Sequence, residues 1–124
     1  MQQLIAIAGG GALGAVLRFL MSSHVYRLFG KDFPYGTLSV NILGSFLMGL
    51  LFILIIERGM LSGEWRSIII VGFLGAFTTF STFSIETLNL LESGELSRAA
   101  LNIFLSVALC LVATWLGLVM GRQL

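Results

Sequence analysis

Apolar residues fall into four long stretches along this chain, separated by three short polar segments. The stretches run from about Leu4 to Ser22, Leu38 to Ile56, Ser67 to Leu91 and Ala99 to Met120. A bilayer core about 30 Å thick is crossed by about 20 apolar residues of helix, and each stretch is that long. The first connection, His24 to Gly36, holds Arg27, Lys31, Asp32 and the only proline, Pro34. Glu57 to Arg66 holds Arg58 and Glu64, and Glu92 to Arg98 is a tight turn around Ser93-Gly94. Tyr26, Tyr35 and Trp65 sit at the ends of stretches, where amphipathic aromatics favour the headgroup zone. The pattern predicts an all-α membrane protein of four transmembrane helices. Residues 1–124 are expected to form a single domain, with no soluble appendage and no cleaved leader.

Composition agrees with that reading. The 124 residues are 57% hydrophobic and 10% charged, with a mean hydropathy of +1.01. Soluble domains carry roughly 25% charged residues, and a small domain exposes too much surface to hide this much apolar side chain from water. Most of the surface must therefore face lipid. A net charge of +1 with no basic stripe excludes nucleic acid as a partner. Cys110 is alone in an apolar run, so it reads as a small packing residue. The loop cations divide evenly: Arg58, Arg66 and Arg122 on the side of the termini, and Arg27, Lys31 and Arg98 on the other. Because the more positive side stays in the cytoplasm, this tie predicts no preferred orientation and makes an antiparallel homodimer possible. Four helices are also few to enclose a pore alone.

Small residues recur at helical spacing. Gly10 and Gly14, Gly117 and Gly121, and Ser45 and Gly49 form small-x-x-x-small pairs, which let helix backbones approach closely in lipid. Gly9 to Gly14 also matches G-x-G-x-x-G. That nucleotide fingerprint requires a strand–turn–helix context, and here it lies inside an apolar helix, so it is rejected.

Chemistry concentrates in the third stretch. Gly72 to Glu86 reads GFLGAFTTFSTFSIE, with the phenylalanines Phe73, Phe77, Phe80 and Phe83 among the hydroxyl residues Thr78, Thr79, Ser81, Thr82 and Ser84. Gly72, Gly75 and the β-branched Thr78-Thr79 pair weaken the helix, and a break is expected near Gly75 to Thr79. Carbonyls freed at membrane depth need protein, a polar cavity or a cation to satisfy them. Each phenylalanine ring has an electropositive edge, and such edges can face an anion without holding it as tightly as a full charge would. Asn41, Asn102, Ser106 and Thr114 add polar groups inside other stretches. Arg18 and Glu86 are ionisable groups at membrane depth and functional candidates on that ground. Snorkelling of Arg18 to the interface, and a structural pairing of Glu86 with an arginine, stand beside that reading.

At these residues the chain resembles the Fluc (CrcB) family of bacterial fluoride channels. The resemblance covers nearly the whole length. It is carried by G-G-x-x-G-A-x-x-R-F (Gly10 to Phe19), G-T-L-x-V-N-x-x-G-S-F (Gly36 to Phe46) and G-x-x-G-A-x-T-T-F-S-T-F-S-x-E (Gly72 to Glu86). It implies a fluoride-selective channel of the bacterial plasma membrane that exports fluoride passively, built as an antiparallel homodimer with two pores. Phe80 and Phe83 would turn ring edges to the ion, Asn41 would donate to it, and Ser81, Thr82, Thr114 and Ser106 would form a polar track. Carbonyls of Gly75 and Thr78 from both subunits would hold a structural Na⁺ at the dimer centre. Arg18 would line a vestibule and Glu86 would lie near one pore end. Phe104 stands where some members of that family carry a tyrosine, so the resemblance leaves a hydroxyl contact to the ion open at this position.

Two other classes compete. A small multidrug transporter of similar size relies on a carboxylate in its first span, whereas this first span holds Arg18 and no acid. A membrane scaffold without a pore leaves the hydroxyl cluster unmotivated. An enzyme is the least supported reading, since His24 is the only histidine and no acid–base–nucleophile set converges on it.

Overall fold

The computed structural model describes residues 1–124, and every long element in it is helical. Helix α1 spans Gln2–Phe29 and α2 spans Tyr35–Glu57. Helix α3 covers residues 63–77, α4 spans Phe80–Glu92, and α5 spans Leu96–Gln123. α1, α2, α5 and the broken pair α3–α4 (Gly63–Glu92 together) are each long and apolar enough to cross a membrane. The helices extend past the apolar stretches at both ends, because polar residues such as Arg27 and Glu57 continue the winding into the headgroup zone. Gly30, Gly59 and Gly94 end helices with positive φ, the conformation glycine adopts most readily.

Two segments are wound more widely than an α-helix. Phe52–Glu57 at the end of α2 and Ser67–Leu74 within α3 are π-helical. Gly75 itself is helical, with φ −61° and ψ −36°, so the glycines do not break the third span. The break falls on Thr78 and Thr79, whose backbones are extended (φ −89°, ψ 158° and φ −151°, ψ 120°).

Packing follows the small residues. α1 lies mainly against the π-wound part of α3, and α2 mainly against α5, with α1 and α2 joining the two pairs. A methyl group added to Gly10 would run into the Ile68 carbonyl, one on Gly14 into the Phe73 carbonyl, and one on Gly72 into the Ile7 carbonyl. Gly49 stands in the same relation to the Thr114 carbonyl, and Gly117 to the Phe46 carbonyl. Only 22 of 124 residues are buried, so the bundle is thin and most apolar side chains point outward. Leu4, Leu13, Phe19, Leu111 and Trp115 are all exposed, a surface suited to lipid or to another subunit.

Overpacking a tight helix contact costs about 1–3 kcal/mol. Gly117→Ala should therefore lower the thermal unfolding midpoint in detergent micelles. Gly9→Ala, whose new methyl meets nothing within 4 Å, should leave it unchanged or raise it slightly, since alanine is the better helix former. Equal midpoints for the two variants would remove the close-packing account.

Candidate ion pathway at the helix break

The break uncovers backbone groups that a continuous helix would pair internally, and specific side chains from other helices take them. In an unbroken helix the Thr79 N–H would bond the Gly75 carbonyl. Here it donates to Asn41 Oδ1 at 2.8 Å, while Asn41 Nδ2 donates to the Thr79 carbonyl at 3.0 Å. One amide side chain on α2 thus satisfies both polar groups of Thr79, as a neighbouring β-strand would. Arg18 on α1 reaches the other side of the break, its Nε donating to the Ala76 carbonyl at 2.9 Å. A cation at the C-terminal end of α3 also complements the helix dipole there. Arg18 is part-buried and bound to the backbone at depth, so snorkelling does not describe it.

Thr79 also starts α4. Its Oγ1 accepts from the Thr82 N–H at 3.2 Å, an N-cap, and donates to Thr82 Oγ1 at 3.1 Å. Ser81 Oγ lies 3.3 Å from the same oxygen. The sequence reading did not single out Thr79 as a site residue, although its place before a helical run of hydroxyls is an N-cap signature. The carbonyls of Gly75, Phe77 and Thr78 accept no hydrogen bond within the chain. Two helix ends of opposite polarity therefore meet at the break: carbonyls from α3 that favour a cation, and amides from α4 that favour an anion.

Beside the break runs a groove of about 420 Å³ between α2, α4 and α5. It brings Asn41, Phe80, Phe83, Ser106 and Thr114 together, with Thr79 and Cys110 also on its walls. Cys110 is half-exposed along this groove rather than packed in a core. Phe80 and Phe83 stand 5.3 Å apart between ring centroids, tilted by 45°. Phe80 is 78% exposed, so one chain supplies only one wall beside it. Ser81 and Thr82 lie on α4 outside the groove lining, and the exposed Phe104 is outside it as well.

A hydroxyl has one proton to give, and several of these protons are committed. Thr114 Oγ1 donates to the carbonyls of Cys110 and Ser45 at 3.0 and 3.2 Å. Ser106 Oγ donates to Asn102 Oδ1 at 3.3 Å. Asn102 is 2% exposed and donates in turn to Thr87 Oγ1, which donates to the Phe83 carbonyl at 2.7 Å. That buried chain of bonds fixes α4 against α5. Thr82, whose oxygen accepts from Thr79, keeps its own proton for another acceptor.

Glu86 sits one turn beyond Phe83 and away from this groove. It lines a second cavity, also about 420 Å³, with Tyr26, Lys31, Asp32, Asn89 and Ser93. The Tyr26 hydroxyl donates to Glu86 Oε2 at 2.7 Å, so a tyrosine takes the place of the arginine considered from the sequence.

The two Asn41 bonds predict a large structural effect. Asn41→Leu leaves the Thr79 N–H and carbonyl without partners at roughly 1–3 kcal/mol each, about 2–6 kcal/mol together. Differential scanning in detergent should show a midpoint well below that of the parent protein. An unchanged midpoint would mean that Asn41 does not hold the break.

Comparison with known proteins places this sequence in a family. A family model described as "CrcB-like protein, Camphor Resistance (CrcB)" matches residues 5–118. A Methylococcus capsulatus protein named fluoride-specific ion channel FluC is 57% identical over 121 residues, covering 98% of this chain and 53% of that longer protein. So the chain spans about half the length of that relative. Proteins of the same name from Magnetococcus marinus and Coxiella burnetii are also 57% identical. They align over 97% and 100% of this chain, and over 98% and 100% of their own lengths. The chain belongs to the CrcB family.

Proposed function

We propose that the chain is a fluoride-selective channel of the bacterial plasma membrane that lets fluoride leave the cytoplasm passively. The observation that carries the reading is the meeting of α3 and α4 at Thr78 and Thr79, beside a groove holding two tilted phenylalanines and a row of hydroxyls. Near-full-length relatives bearing the name of a fluoride channel support the choice of ion. The molecule is a channel and not an enzyme.

Fluoride is small and strongly hydrated, so a narrow path must replace its water with hydroxyls, amides and ring edges. Phe80 and Phe83 present edges whose charge is partial, which keeps binding weak enough for release. Asn41 has one amide proton beyond the one it gives Thr79, and that proton serves the ion. Thr82 donates directly, whereas Thr114 and Ser106 contribute by turning their protons from present acceptors as the ion passes, and Ser81 flanks them. Arg18 supplies positive potential at the vestibule, and Glu86 marks one pore end. Fluoride enters cells as HF in acid and ionises inside, so a passive path suffices for export.

The pore is completed by a second copy in antiparallel orientation, giving two pathways per dimer. The even loop charges and the exposed Phe80 ring support that assembly. Gly75 is exposed, and its carbonyl, like that of Thr78, accepts no bond within the chain. These oxygens fit a hard cation, and with their counterparts in the second copy they would hold a structural Na⁺. The ion supplies positive charge that ties the two breaks together.

Efflux from liposomes tests the function, with fluoride and chloride electrodes side by side. Fast fluoride release, negligible chloride release and at least a tenfold loss in Phe80→Ile and Asn41→Asp, a scale of about 1.4 kcal/mol in barrier, are expected. No fluoride release from folded dimers would overturn the reading. Exchange of sodium for a bulky organic cation should separate the dimers or abolish flux, as followed by size-exclusion chromatography and the same electrodes. Intact, conducting dimers without sodium would remove the ion from the structure.

A further inference from the structure

Tyr26 lies near the loop end of α1, where tyrosines commonly turn the hydroxyl out to the headgroups. Here the hydroxyl points inward. It donates to Glu86 Oε2 at 2.7 Å and lies 3.3 Å from Thr37 Oγ1, and the Thr37 N–H donates to it at 3.5 Å. The phenol has a single proton. With that proton on Glu86, the Thr37 hydroxyl must donate to Tyr26, so the bonds run in one direction from α2 through α1 to α4. Such aligned bonds reinforce one another. Glycine at position 36 makes room for the ring: a methyl group there would meet the edge of Tyr26 and, at 2.7 Å, the Ser22 carbonyl.

Glu86 has no other tether. Its Oε1 is buried without a hydrogen-bond partner, and Lys31, although it lines the same cavity, makes no ion pair with it. Glu86 follows Phe83 by three residues, about 4.5 Å along the α4 axis. A carboxylate released from Tyr26 would carry a full negative charge into the approach to the phenylalanine pair.

We propose that Tyr26 is a positioning residue that pins the Glu86 carboxylate against α1 and α2 and so keeps its charge off the route of the permeating anion. This rests on the fluoride-channel reading above. Tyr26 touches the carboxylate and not the ion, and it acts on flux only through Glu86.

A double-mutant cycle in liposomes separates this role from simple packing. Tyr26→Phe keeps the ring and removes the hydroxyl, and fluoride efflux should fall about tenfold, the scale of one hydrogen bond to a charged group. In a Glu86→Gln background the same change should have little effect. An equal loss in both backgrounds, or no loss in either, would overturn the proposal. Infrared spectra give a readout independent of flux. The carboxylate band identified by its disappearance in Glu86→Gln should shift in Tyr26→Phe, and an unshifted band would show that the bond is absent. If the parent protein releases no fluoride while the band does shift, the channel reading fails first, and the pathway role of Tyr26 falls with it while its hold on Glu86 stands.

Discussion

Hydrocarbon offers no hydrogen bonds, so a helix interrupted at membrane depth survives only where something else binds the uncovered backbone. Two side chains meet that requirement here, Asn41 for Thr79 and Arg18 for the Ala76 carbonyl. The remaining architecture can be understood from this constraint. α1 and α2 are placed to deliver these residues, and the glycine contacts between α1 and α3 bring backbones close enough for Arg18 to reach. The carbonyls of Gly75, Phe77 and Thr78, which the two side chains leave unpaired, stay open to a partner from outside the chain. In the proposed channel, structural and conducting roles coincide at Asn41, because the amide that would meet the ion is also the one that closes the break.

The architecture was legible where it depends on composition along the chain. Four apolar stretches gave four spans, and the crowding of β-branched and hydroxyl residues at Thr78-Thr79 marked the break to within a few residues. Two local features escaped. Gly72 and Gly75 read as helix weakeners, yet Gly75 is helical and Gly72 serves α1 packing. The π winding of Ser67–Leu74 had no signal, since Ile68 to Val71 is an ordinary apolar run whichever way it is wound.

Partners distant in sequence were the larger gap. Arg18 and Ala76 are 58 residues apart, and Tyr26 and Glu86 are 60 apart. Neither residue type announces its mate. An arginine in a span suits a vestibule, an interface or a helix end equally well, and a tyrosine near a span end reads as a headgroup anchor. For the groove, the residue types were legible and their state was not. The sequence names the hydroxyls of Ser106 and Thr114, and only the fold shows that their protons already point at Asn102 and at backbone carbonyls.

The wide winding in α3 bears on how this chain tolerates changes of length. Each α-helical residue turns the chain by about 100°, and a π segment accommodates residues that α winding would carry round to another face. Loss of one residue between Ser67 and Leu74 would let the segment tighten, still long enough to cross the bilayer. Because each π residue turns the chain less than an α residue does, the two threonines and everything after them would then still face Asn41. Insertions and deletions in the loops are absorbed by solvent, whereas here the winding itself holds one residue in reserve. A deletion would spend that reserve, and an insertion would have to widen the winding further or swing the break away from its partners.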